Sequence, residues 1–166
     1  MRSSQVLWIV ISGIVWFVVG IGLLTLGMHF IIAKAQLDLY ETRSLIFHFS
    51  SLTGGREEAA FALIDLGLLM GFLKGRFVLS KTVKRVVARI VSLPEPLSVS
   101  QIYSKGYLAL IGGMVLLGIS MKWTGIPVDI RGVVDVAIGS ALMNGASAYF
   151  RAAFAVHKGR KSSSSL

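Results

Sequence analysis

The chain has 166 residues, 54% of them apolar and 15% charged, with no cysteine and a formal net charge of +9; its mean hydropathy is +0.74. Soluble domains carry about 25% charged residues, so this composition excludes that class, along with disordered chains, disulfide scaffolds and Cys-ligated zinc or iron–sulfur sites. The 17 Lys and Arg against 8 Asp and Glu do not mark a nucleic-acid binder, because no aromatic residues interleave with them as a base-stacking surface requires; their placement fits a membrane topology.

Val6 to Ile32 contains no Lys, Arg, Asp or Glu. As a helix these 27 residues reach about 40 Å, more than a hydrocarbon core of ~30 Å needs, so the segment spans with tilt or emerges as a helical stub. A cleaved secretory signal is the alternative, given Met1-Arg2 before the run and Ala33-Lys34-Ala35 after it, but the run is about twice the usual apolar length. Ala33 to Glu57 is a long connection whose first residues, to about Glu41, prolong the helix, and Ser50 to Gly55 reads as a turn. Glu57 and Glu58 then favour the start of the next helix through its dipole.

The second span covers about 58–79, with Lys74 and Arg76 snorkelling. Lys81 to Leu93 reads as an amphipathic helix. Val83, Val86, Val87, Ile90 and Val91 fall at helical spacing, with Lys81, Lys84, Arg85 and Arg89 opposite. Such a segment lies in the headgroup plane as a lipid-facing basic helix, or docks an acidic partner or a specific lipid. Pro94-Glu95-Pro96 stops it. The third span covers about 102–121, Thr124 to Pro127 turn the chain, and Asp129 is a plausible N-cap for a fourth span at about 132–154. Residues 1–161 form one membrane domain and 162–166 a disordered tail.

Twelve of the 17 Lys and Arg fall on the side of the two termini, which places both termini in the cytoplasm by the positive-inside rule. Trp8, Tyr103 and Tyr107 mark the inner boundary, Tyr40 and Trp123 the outer one. The expected fold is therefore an all-α integral membrane protein of the cell (inner) membrane. It has four transmembrane helices and a basic amphipathic interfacial helix between spans two and three.

A shift of 70 positions lays Leu63-Ile64-Asp65-Leu66-Gly67 on Val133-Val134-Asp135-Val136-Ala137. It suggests a two-hairpin repeat, since the first and third spans also align at a shift of 93. Gly67, Gly71 and Gly75, like Ala137, Ala141 and Gly145, line one helix face each, and Gly13, Gly20 and Gly27 recur on the first helix. Small residues permit the close backbone approach that joins helices in lipid, within one bundle or at the seam of a homo-oligomer or another membrane protein.

Asp65 and Asp135 lie inside their spans in matching contexts, and Asn144 sits near the middle of the fourth. Two such acids suggest an ion, proton or small-cation site, with structural pairing to His29, Lys122, Arg131 or Arg56 as the alternative. His29 and His48 do not form a haem-ligating pair. No catalytic motif, cofactor site or metal site emerges from the sequence. Two functions are thus expected from the sequence: ion or proton handling through Asp65 and Asp135, or a non-catalytic anchor or assembly subunit that packs against partner helices through its Gly/Ala faces.

Overall fold

The computed structural model describes residues 3–37, 43–92 and 105–163. Among these, every regular element is a helix: α1 (Ser3–Gln36), α2 (Leu45–Thr53), α3 (Arg56–Lys74), a π turn (Gly75–Leu79), α4 (Ser80–Ser92), α5 (Lys105–Trp123) and α6 (Val128–Ser163). Two of them, α1 and α6, are long and apolar enough to cross a membrane. Tyr40, Tyr103 and the Pro94–Pro96 stop lie outside the described residues, as does 164–166 of the tail; Ser162 and Ser163 continue α6 instead of opening a disordered tail.

The scaffold is the antiparallel pair of α1 and α6. A Cβ on Gly27 would lie 2.6 Å from the Gly132 carbonyl oxygen, one on Gly20 3.0 Å from that of Gly139, and one on Gly13 2.8 Å from the Phe150 ring. The seven-residue glycine spacing therefore faces α6 along its whole length and lets the two backbones touch. It also sets the start of α1 beside the far end of α6. Helix α3 runs parallel to α6 on a different face: Gly67 meets Val133 and Val136, Gly71 meets Ala137 and Ser140, and Gly75 meets Ala141 and Asn144. Gly145 departs from this series, because its open side takes the Trp16 ring of α1.

The basic amphipathic segment is not a separate interfacial helix. Gly75 (φ −58°, ψ −46°) and Ser80 (φ −60°, ψ −33°) are both right-handed helical, so α3, the π turn and α4 form one rod. In a regular helix Val83 would stand about 160° round from Gly67, at 100° per residue. The wider π turn absorbs part of that drift and keeps Leu79, Val83, Val86 and Ile90 on the side of the bundle. There they are buried with Ile9, Tyr149 and Ala153. Protein covers Val83, Val86 and Ile90 of the apolar stripe, whereas Val91 is exposed, as are Lys81, Lys84, Arg85 and Arg89. The same cluster explains the length of the first apolar run: its surplus, around Val6, Trp8 and Ile9, is packed against α4 and the end of α6.

At the opposite end a second cluster joins Ile31 and Ala35 of α1, Ile46 of α2, Ala59, Ala60, Leu63 and Ile64 of α3, and Val136 of α6. Helix α2 is absent from the sequence-based expectation, which has only a long connection there. It ends at Gly54, whose φ of 90° is left-handed and whose N–H bonds the Ser50 carbonyl; a residue with a Cβ would be strained there by roughly 1–2 kcal/mol. The turn expected at Gly54-Gly55 is thus the C-cap of α2.

Candidate functional site

Helix α6 presents three faces. One meets α1 and one meets α3. The third carries Arg131, Val134, Asp135, Ile138 and Leu142, and lines a cleft of about 400 Å³ shared with α1 and the last turns of α5. The α1 wall runs from Val15 and Trp16 to Leu26, and the α5 wall from Leu117 to Lys122. Apart from Lys122, Arg131 and Asp135, which gather at one end, these walls are almost wholly apolar.

Asp135 is 6% exposed. Its Oδ2 stands 3.9 Å from Arg131 Nε, one helical turn back. That is beyond hydrogen-bond length, about 3.2 Å at most. Both atoms are buried and neither has a hydrogen-bond partner. The Arg131 guanidinium is held instead over the Phe30 ring, 5.0 Å from its centroid, a cation–π contact that fixes its position. Of the cations considered as neutralising partners for the acids, Arg131 is the one that pairs with Asp135, and Lys122 shares its cleft.

Asp65 is elsewhere. It is exposed on α3, flanked by Phe61 and Leu69, also exposed. The two acids do not share a site, and the reason lies in the spacing that drew attention to them. Each acid precedes its small-residue stripe by two positions, which on a helix is about 200°. Since the Gly67 and Ala137 stripes face one another, the acids point to opposite sides of the α3–α6 pair. Asn144 joins neither. Its Nδ2 donates to the Ser140 carbonyl at 3.2 Å, and its Cβ fills the space left by Gly75. Ser140 Oγ donates to the Leu68 carbonyl at 3.1 Å, tying α6 to α3.

Asp129 is the polar residue whose role sequence reasoning missed. It is 0% exposed and lies in the first turn of α6, not at its N-cap. Its Oδ2 accepts hydrogen bonds from Ser44 Oγ (2.7 Å) and the Ile46 N–H (3.0 Å), while Oδ1 accepts from the Ile130 N–H (3.0 Å). The carboxylate thus supplies α2 with the N-terminal acceptor that a capping side chain gives. Ser44 occupies the N-cap position but makes no side-chain cap bond, because its hydroxyl is turned to Asp129. A serine directly before the apolar run Leu45-Ile46-Phe47 was the available signal for this helix. His29 and His48 are spent locally: His29 stands beside Phe30 and His48 Nδ1 lies 3.0 Å from the Ser44 carbonyl.

No family model matches the chain, and neither does any curated protein or solved structure.

Proposed function

We propose that this chain is a four-span protein of the cell (inner) membrane, with both termini cytoplasmic, that holds a ligand in the α1–α5–α6 cleft and works by binding, not catalysis. The observation that carries the proposal is Asp135, a buried acid without a hydrogen bond at the end of an apolar cleft. An acid within a span costs roughly 2.5–3.5 kcal/mol on insertion scales, and a bound polar group would offset that cost.

The membrane placement is supported by the large apolar side chains left on the outside. The closest helix approaches are made at Gly, Ala and Ser, and beyond the buried clusters Val18, Leu69, Phe72 and Phe77 stand exposed. A soluble bundle of this size does not leave so much large apolar surface in water. Helix α3, parallel to α6 and exposing apolar side chains, and α5, lying along the cleft, supply the second and third crossings. The positive-inside bias sets the orientation.

With Asp65 exposed and Asp135 buried, the two acids do not form a shared site, so ion or proton handling would rest on one acid alone. A second reading, that of an assembly subunit, draws on Asp65 itself, an acid on an outward apolar face that a partner helix would shield. The test is native mass spectrometry of the full chain in nanodiscs of its host lipid. A retained small molecule that Gly118→Phe abolishes supports the cleft as ligand site, because Gly118 lines it with open space around its Cβ position. A retained protein lost on Asp65→Leu, with no small molecule bound, would favour the assembly role.

A further inference from the structure

Resting on the cleft as a ligand site, we infer the class of ligand it takes: a single-chain amphiphile whose head bears a hydroxyl and an anionic group, as in an acyl or alkyl glycerophosphate. The polar end sets the head. Arg131 Nε is a donor and Asp135 Oδ2 an acceptor, both buried and unbonded, 3.9 Å apart. Both atoms are covered in this arrangement; once the pair turns toward the cleft, one atom about 2.8 Å from each satisfies both, provided that it donates to the carboxylate and accepts from the guanidinium. A hydroxyl does both; an ammonium has no acceptor and an ionised phosphate oxygen no donor. A phosphate carried next to that hydroxyl meets Lys122, at the exposed edge of the same end, in a charge-assisted contact.

The apolar part sets the tail. From Val15 to Leu26 the α1 wall extends about 17 Å at 1.5 Å per residue, with Leu117 and Ile119 opposite it and Ile138 and Leu142 beside it. A cleft of about 400 Å³ has room for one extended chain in preference to two. Water could bridge Arg131 and Asp135, but it would leave the exposed apolar length of the cleft uncovered, which an aliphatic chain covers favourably.

Trp16 lies on the cleft wall and serves as reporter once Trp8 and Trp123, the other two of the 3 tryptophans, are replaced by Phe. The full chain in phosphatidylcholine nanodiscs is titrated with three probes brominated on the chain: a lysophosphatidylglycerol, an uncharged monoacylglycerol, and an alkylphosphocholine without a hydroxyl. Saturable quenching of Trp16 is expected at the lowest mole fraction for the first, with the other two weaker by about tenfold or more, the worth of one charge-assisted hydrogen bond. Asp135→Leu should bring the first probe down to the level of the third. Gly118→Phe should abolish saturation for all, while Ile21→Phe, exposed on α1 and turned at least about 120° away from Val15, Val19 and Leu26 at 100° per residue, leaves it intact. Glycerol 3-phosphate in large excess should not displace the probe.

Equal quenching by all three probes would overturn the head assignment while leaving the cleft a chain-binding site. Displacement by glycerol 3-phosphate would mean that a soluble phosphate is the ligand, which also overturns it. No saturable quenching by any probe would sink the ligand class and the cleft reading together.

Discussion

Replacement of Gly71 by alanine isolates the close contact on which the α3–α6 pair depends. A Cβ at this position overlaps the Ala137 carbonyl and comes within 2.7 Å of Ser140 Cβ, so the helices must part. Parting also stretches the Ser140 Oγ bond to the Leu68 carbonyl. Two opposed effects act at once: Gly→Ala favours an isolated helix by about 1 kcal/mol, whereas overpacking costs about 1–3 kcal/mol. Gly22→Ala is the reference, since it gains the same helix propensity with nothing within 4 Å of the new atom. The gap between the two variants is then the packing cost alone, about 1–3 kcal/mol, read as the difference in unfolding free energy in a mixed-micelle SDS titration. Two variants matching within about 0.5 kcal/mol would refute the packing. So would a Gly71→Ala protein that loses an oligomer while its monomer unfolds unchanged, because the stripe would then face another chain.

Asp129→Ala should free α2, because two groups bonded to a carboxylate lose their partner at about 1.5–3 kcal/mol each; hydrogen exchange over 45–53 should accelerate while 56–74 stays protected, and Ser44→Ala should do less. Ile90→Asp should destabilise by about 3 kcal/mol or more, through an uncompensated charge in a protein-covered site, and loosen 80–92 in limited proteolysis; an unchanged digest would return that stripe to the lipid surface. Asp65→Leu should leave folding intact or stabilise the membrane-inserted state, since Asp65 has an exposed apolar surround, and a melting curve in nanodiscs reads this directly. A marked loss of stability there would show that Asp65 is paired within the chain.

Much of the bundle was legible in the sequence, and the gaps have physical causes. The uninterrupted run from Val6 and the glycines at 13, 20 and 27 fix α1 and the side it turns to α6, because close backbone approach needs residues without side chains. The stripe of Val83, Val86 and Ile90 gives a helix and its apolar face, yet periodicity does not say whether lipid or protein covers that face; the Tyr149 and Ile9 side chains that cover it are far away in the chain. Helix α2 has nine residues, too few for a clear period, and its capping acid lies 85 residues on. The matched acids were the misleading element. Local similarity placed Asp65 and Asp135 at equivalent positions, whereas their 200° offset from the packed stripes already put them on opposite sides of the helix pair. The Arg131–Asp135 pair was legible as an i,i+4 spacing, but the cleft that it closes depends on where α5 lies.

The number of crossings is tested most directly by single cysteines introduced into this cysteine-free chain at Ser51, Ser92, Thr124 and Lys158, each exposed, and labelled with a membrane-impermeant maleimide. The four-span account predicts that intact cells label positions 51 and 124, and that 92 and 158 react only after lysis. Equal labelling of 51 and 92 in intact cells would place both ends of the α3–α4 rod on one side of the membrane and contradict it.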